Sequence, residues 1–378
     1  MSTDSNFGDC KQKPLLLFSC LDWGLGHTTR SIPLIKEFSF LGWEVIVACN
    51  SVQKKILEPE CPTVRFVDLK GYGLKYGRNR ISTRFNLVAQ LFKILIRIKY
   101  EMRWLKRFST QNHVSAVISD NRYGFFHTKI PSILITHQLN IRTGFGNFAN
   151  EIFKKIICKF IRRFTYCWVP DFENFLPLAG TLSQNNEPHP SNIEYLGPFS
   201  RFSRCNVSLS YRYDLLVLIS GPEPQRTIFE KIILGQCNEV NVKVALVRGL
   251  PGNIASLTTT NIEIFNHLDA EQLNKLICES EIVLCRSGYT TIMDLVKLRK
   301  KMIVVPTPGQ AEQEYLAMHL SKNKIALSFN QHKLSISRAL QSASFFPYHF
   351  IDHDMNDYKI VVKKFTEKIN SGSPFSKR

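Results

Sequence analysis

Two linked runs decide the fold: Ile282-Val-Leu-Cys-Arg-Ser-Gly-Tyr-Thr-Thr-Ile-Met-Asp-Leu-Val296 and Met302-Ile-Val-Val-Pro-Thr-Pro-Gly-Gln-Ala-Glu-Gln-Glu-Tyr-Leu-Ala317. They read as strand, glycine turn, helix, strand, proline loop, helix. Ile282 to Cys285 is a short apolar run of the kind buried on both faces of a parallel sheet. Ser287-Gly288 supplies the turn, and Thr290 or Thr291 is the expected cap of the helix that follows. In open α/β sheets ligands gather at the carboxyl ends of the strands. Unpaired N–H groups and the helix dipole make a helix N-terminus there a seat for an anion. Asp294 lies one turn in, off the apolar face of Ile292, Leu295 and Val296, where a carboxylate can accept hydroxyls such as those of a ribose. After the second strand a polar loop returns Gln310, Glu312, Gln313 and Glu314 to the same edge.

Outward from this stretch, the first half repeats the alternation. Pro14 to Cys20 is a buried strand, Asp22-Trp-Gly-Leu-Gly-His27 a loop, Thr28 to Phe38 a helix, and Gly42 to Cys49 the next strand. The pair Gly24-x-Gly26 lacks the third glycine of a dinucleotide fingerprint, and no acidic residue ends the second strand, which disfavours a Rossmann dehydrogenase. Val114 to Asp120 and Ile130 to Thr136 are further strands, bringing Asp120, Arg122, His137 and Gln138 to carboxyl ends in one sheet. Trp168-Val-Pro-Asp171 reads as the strand that closes that sheet. In the second half, Tyr213 to Ser220 is a strand, followed by Gly221-Pro-Glu-Pro-Gln-Arg226 entering a helix.

The chain has 378 residues, 44% hydrophobic and 21% charged, which suits two globular domains. Its net charge of +18, from 49 basic and 31 acidic residues, favours anionic partners. No zinc-finger, RNP or basic-zipper pattern accompanies that charge, so nucleic acid is not an expected partner. No apolar run approaches the roughly 20 residues of a membrane span, and Met1 to Lys13 is too polar for a secretory signal. Ten cysteines show no CxxC and no ladder, giving an expectation of a reducing cytoplasm without a disulfide frame or structural zinc.

The organising stretch resembles the nucleotide-sugar-binding half of GT-B glycosyltransferases, above all family 28, the family of the N-acetylglucosaminyltransferase that makes lipid II, and more distantly family 1. The resemblance rests on Arg286-Ser287-Gly288, Asp294, Pro306 and Gln313-Glu314-Tyr315, with Tyr195-Leu-Gly-Pro198 resembling the entry into the second domain. It implies an α/β chain of two Rossmann-like domains facing a cleft. Residues 1–198 would bind acceptor, 199–345 would bind nucleotide sugar, and a C-terminal segment, 346–378, would pack a helix back on the first domain.

The resemblance also implies roles. Arg286, Ser287 and Gly288 would lie by the nucleotide base, Asp294 would hold the ribose, and Gln313 and Glu314 would meet the donor sugar. The loop at Gly221 would approach the diphosphate, where two prolines replace glycines, so that Arg226 would supply charge directly. Gly24, Gly26 and His137 would face the acceptor. His27 would be the base that takes the acceptor proton, with Asp120 orienting it; a helix-capping His27 and a turn-forming Asp120 are the structural alternatives.

The implied reaction is transfer of a hexosyl group, with inversion and no obligatory metal or cofactor, from a nucleotide diphosphate sugar, UDP-linked, to a glycan or lipid-linked acceptor of the cell envelope. Two segments, 85–108 and 152–164, are apolar on one side and rich in Lys and Arg on the other. They read either as core helices with solvated faces or as elements lying peripherally on the anionic inner face of the cell membrane. Two other functions fit the same sequence: a UDP-sugar epimerase of this fold, and a non-catalytic basic protein that binds membrane or another polyanion.

Overall fold

The computed structural model describes residues 13–73, 89–184, 190–204, 210–237, 239–250, 257–258 and 262–375. Two sheets form, each around a topological switch. The first contains β1 (Leu15–Cys20), β2 (Glu44–Cys49), β3 (Arg65–Asp68), β4 (Val114–Asp120), β5 (Ser132–Ile135), β6 (Tyr166–Val169) and β7 (Ile193–Tyr195), in the order β3-β2-β1-β4-β5-β6-β7, all parallel. The second contains β8 (Tyr213–Leu218), β9 (Val244–Val247), β10 (Leu257–Thr258), β11 (Ile262–Phe265), β12 (Ser280–Cys285), β13 (Lys301–Val304) and β14 (Leu327–Ser328). Its order is β10-β11-β9-β8-β12-β13-β14, with only β10 antiparallel to its neighbour. The two Rossmann-like sheets are those the sequence predicts. The strand at Trp168 does not close the first sheet, because Cys167 to Val169 pair onward with Ile193 to Tyr195.

Alternation along β1 explains how this sheet is covered. Leu16 and Phe18 join the core under α1 (Gly26–Phe40) and α10 (Asp357–Asn370), whereas Leu15 and Leu17 face α3 (Leu91–Gln111) through Leu105. Burying both faces is what makes the strand a continuous apolar run. Helix α10 follows the second domain in sequence but packs on the first. Phe365 meets Phe38 edge-on at 6.3 Å and Trp168 at 5.6 Å, and Trp43 Nε1 donates to Thr366 Oγ1 at 3.0 Å. Conversely, Phe172, Leu178 and Leu182, from the loop between β6 and β7, sit in the core of the second domain. The two domains are therefore laced together around the cleft.

The two basic helices are α3 and α4 (Asn147–Ile161), on the face opposite α1. Each buries one stripe, Ile98 and Leu105 in α3 and Ile157 and Ile161 in α4. Beyond those stripes, Phe92 is 74% exposed and Phe148 82%, and Leu95, Ile96, Ile152 and Ile156 are also exposed. Residues 74–88, which include the start of segment 85–108, lie outside the described residues. Seven described cysteines are in no disulfide, but Cys278 is disulfide-bonded. That corrects the expectation of wholly reduced thiols.

Candidate active site

The switch points of the two sheets face each other. In the first, β1 and β4 diverge at Cys20 and Asp120, which are register partners. The loop after β1 delivers α1, whose first turn carries His27 and Arg30. In the second, β8 and β12 diverge at Leu218 and Cys285, and residues 286–288 deliver α7 (Tyr289–Lys297). The N-termini of α1 and α7 meet across the cleft. Thr290 Oγ1 donates to the Gly26 carbonyl at 3.2 Å, and a Cβ on Gly26 would lie 3.1 Å from that same hydroxyl oxygen, a tight approach that the threonine would have to relieve by shifting.

A line of hydrogen bonds crosses this junction, and because arginine only donates each proton can be placed. His27 Nδ1–H donates to Asp120 Oδ1 at 3.0 Å. Arg30 Nε donates to Asp120 Oδ2 at 2.6 Å, and Arg30 Nη2 donates to Oδ1. Arg30 Nη1 lies 3.4 Å from His137 Nδ1, which must accept. The His137 proton is then on Nε2, which donates to Glu312 Oε1 at 2.8 Å. Glu312 belongs to α8 (Ala311–Lys322) of the second domain. The His137 ring stacks on Tyr289 at 4.2 Å between centroids, and Tyr289 Oη donates to the Pro170 carbonyl at 2.7 Å.

Charge follows from that line. Burial opposes ionisation of Asp120, but Arg30 and His27 outweigh it and hold the carboxyl well below its ordinary range. Burial, then the Arg30 charge, pulls His27 below its ordinary value against the opposing pull of Asp120. His27 is thus a neutral imidazole with its proton on Nδ1. Its Nε2 has no hydrogen-bond partner among the described residues. That leaves the chemistry of a base.

Beside the junction lies a cavity of about 260 Å³, lined among others by Gly26, Arg201, Ser220, His267, Thr290 and Asp294. Burial pushes Asp294 up to about 6, against Arg201 and a hydrogen bond from Ser200 Oγ. Its Oδ2 has no hydrogen-bond partner among the described residues. Gly221, in the left-handed region at φ +104°, sits in the loop after β8, and a Cβ there would have nothing within 4 Å, so a ligand can approach the backbone. Gly24, at φ +84°, has the same open character in the loop after β1.

Several expected contacts are otherwise engaged. Arg226 is clamped by Glu223 at 2.7 Å and by Glu230, and donates to the Arg248 carbonyl at 3.1 Å, so its charge is spent inside the domain rather than offered to a diphosphate. Arg286 is buried over the Phe229 ring at 3.9 Å and donates to the carbonyls of Val305, Pro306 and Gln225 and to Gln331. Ser287 Oγ donates to the Gln313 carbonyl at 2.8 Å. Gln313 Oε1 accepts from Thr307 N at 2.9 Å, and Glu314 Oε1 from Gly309 N at 3.0 Å. These five side chains build the loops. Gly288, not Thr290 or Thr291, occupies the N-cap of α7, and no side chain caps it. The N–H groups of Tyr289, Thr290 and Thr291 consequently have no protein acceptor among the described residues.

Residues 238–344 match the glycosyltransferase family 28 C-terminal domain. The chain is a glycosyltransferase with the GT-B fold, its second half carrying the family 28 match. An uncharacterized glycosyltransferase of Methanosarcina acetivorans is 23% identical over 320 residues, covering 79% of this chain and 81% of that protein. The UDP-N-acetylglucosamine--N-acetylmuramyl-(pentapeptide) pyrophosphoryl-undecaprenol N-acetylglucosamine transferase of Clostridium perfringens is 23% identical over 366 residues, 92% of each chain. Among solved structures, a kitacinnamycin glycotransferase superposes with a TM-score of 0.61 at 13% identity over 96% of each chain. MurG of Acinetobacter baumannii superposes with 0.52 at 13% identity, over 95% of this chain and 99% of that one. For this glycosyltransferase, sequence reasoning missed Arg30 and Arg201, and it brought Glu312 to the ligand edge without giving it a role. The signal for Arg30 was its place three residues after His27, on the same face of a helix. Glu312 stands one residue before the Gln-Glu-Tyr run on which the resemblance is anchored.

Proposed function

We propose that the enzyme moves a glycosyl group, with inversion and without an obligatory metal, from a UDP-linked sugar to an acceptor hydroxyl. The observation that carries this reading is the neutral His27, backed by Asp120, at the junction where the uncapped N-terminus of α7 supplies anion-binding N–H groups. His27 Nε2 takes the acceptor proton as the acceptor oxygen attacks the anomeric carbon. The bond from that carbon to the nucleoside diphosphate breaks, and the diphosphate leaves with the bonding pair. Preorganised N–H dipoles stabilise the charge it gains. Asp294 holds the ribose hydroxyls in the adjoining cavity, with Arg201 beside it.

Calorimetric titration with UDP, GDP, ADP and TDP tests the donor half. UDP binds selectively, and Asp294→Ala weakens it by about tenfold or more, the loss of a hydrogen-bonded charged acceptor. Affinity falls as pH drops through about 6, where the Asp294 carboxylate takes up a proton. Equal binding of all four nucleotides, or full binding by the variant, would remove the nucleotide assignment.

The exposed apolar side chains of α3 and α4 support a lipid-linked acceptor delivered from an anionic membrane surface. Phe92, Leu95 and Ile96 alternate with Lys93 and Arg97, and Phe148, Ile152 and Ile156 stand beside Lys155 and Lys159. Sedimentation with anionic vesicles retains the wild-type chain at low salt. Phe92→Ser combined with Phe148→Ser lowers the partition coefficient about tenfold or more, the two rings contributing on the order of 1 kcal/mol each to insertion. Unchanged sedimentation of the double variant contradicts this surface assignment.

A further inference from the structure

We propose that Arg30 is a positioning residue that balances the buried charge of Asp120 and so keeps His27 unprotonated, setting the acid limit of transfer. The inference rests on His27 as the base and adds what allows it to be one.

Consider the pair without the arginine. Asp120 and Arg30 are both buried, 1% and 3% exposed. A buried carboxylate needs a countercharge. With His27 as its sole partner at 3.0 Å, Asp120 would obtain that charge by holding His27 as imidazolium. An imidazolium cannot accept a proton, so the same aspartate that orients the base would disable it near neutral pH. Arg30 removes the conflict. It takes both Asp120 oxygens in the two-point geometry that suits guanidinium and carboxylate. It also places a like charge next to the imidazole. Orientation by Asp120 survives through the Nδ1–H bond, while the electrostatic pull on a second proton is cancelled.

Among the described residues, the charges and rings around His27 are these. Asp120 faces His27 from β4, Arg30 from α1, and His137 from the turn after β5. Glu312 stands behind His137 on α8, and Tyr289 stacks on His137 from α7. Arg30 touches Asp120 on one side and His137 on the other, so its third nitrogen ties the base to the only carboxylate of the second domain in this line. When His27 gains the acceptor proton, Asp120 and Glu312 are two carboxylates against Arg30 and the new imidazolium. The charge balances at the moment of transfer rather than before it.

The test is the titration of the His27 imidazole in the full chain, followed by NMR and assigned with His27→Gln. In Arg30→Gln the midpoint rises by about one unit or more, a tenfold change in the proton equilibrium. In Arg30→Lys, which keeps the charge and loses the fork, it stays within about half a unit of wild type. The pH profile of donor turnover by Arg30→Gln shows its acid limb displaced to higher pH by the same amount. An unmoved His27 in Arg30→Gln, a Lys variant displaced as far as the Gln variant, or a loss of rate equal at all pH values overturns the proposal. Should Arg30→Gln fail to fold, Asp120→Asn is compared with Asp120→Asn plus Arg30→Gln. His27 titrates higher in the double variant, and equal midpoints overturn the proposal. If His27→Ala leaves turnover intact while His27 still shifts in Arg30→Gln, the assignment of the base fails and the effect of Arg30 on His27 stands.

Discussion

His27→Ala lowers glycosyl transfer by about 10³-fold, within the range for loss of a positioned general base, while nucleotide affinity stays within about twofold. The separation follows from the geometry. The imidazole belongs to α1 and to the Asp120 carboxylate, whereas the cavity of Asp294 is built mainly from the second domain. Removing the ring leaves the α7 N-terminus and Asp294 in place. In the transfer step nothing then takes the acceptor proton, and only water can substitute. Turnover at saturating donor, measured beside calorimetric nucleotide binding, checks both halves. Undiminished turnover would eliminate His27 as the base, and a parallel loss of nucleotide affinity would show that α1 supports the donor instead. Asp120→Asn is expected to cost activity and stability together, because it leaves the Arg30 guanidinium buried without its carboxylate.

How much of this was legible in the sequence depends on which forces act locally. The strands β1, β4, β8 and β12 are apolar runs buried on both faces, and their turns carry the glycines, so their existence and order could be read. His27 and Asp120 were readable because strand ends in a parallel sheet converge, whatever the side chains do. The donor-side arginines were not. Arg226 was expected to offer its charge to the diphosphate, yet Glu223 and Glu230, at spacings of three and four, neutralise it. Arg286 looked like a nucleotide contact but turned inward, where four oxygens and the Phe229 face accept it. The loop reading brought Glu312 to the edge, but its bond to His137 comes from contact between domains, a long-range fact with no local trace. The same applies to Phe92 and Phe148. A helical period shows that one face is apolar but not how wide a stripe the neighbouring sheet will cover.

Glu101→Ala destabilises the first domain by about 3–5 kcal/mol, the cost of stripping the partner from a buried charge. Glu101 lies in the middle of the basic helix α3, and like Arg122 it is 0% exposed. Arg122 Nε donates to Glu101 Oε1 at 2.7 Å, and Tyr72 Oη and Gly124 N donate to Oε2 at 2.8 and 3.1 Å. The remaining Arg122 nitrogens hold the carbonyls of Cys20 at 3.3 Å and Lys70 at 3.0 Å. Alanine would leave a guanidinium, a phenol and an amide without their acceptor in a site that α3 closes against Gly124, where a Cβ would meet the Ile98 carbonyl oxygen at 2.3 Å. A domain of this size loses roughly 2–4 °C of melting temperature per kcal/mol, so calorimetry should register a fall on the order of 10 °C. Glu101→Leu with Arg122→Met, which removes both charges, recovers most of that fall, since a buried ion pair adds little beyond its apolar replacement. Activity need not recover with it. Tyr72 N donates to Asp22 Oδ1 at 2.8 Å, so the loop that Arg122 and Glu101 fix is bonded to the loop that leads into His27. A double variant that melts normally but transfers slowly would separate the two tasks of this cluster. One that both melts and transfers normally would confine it to stability.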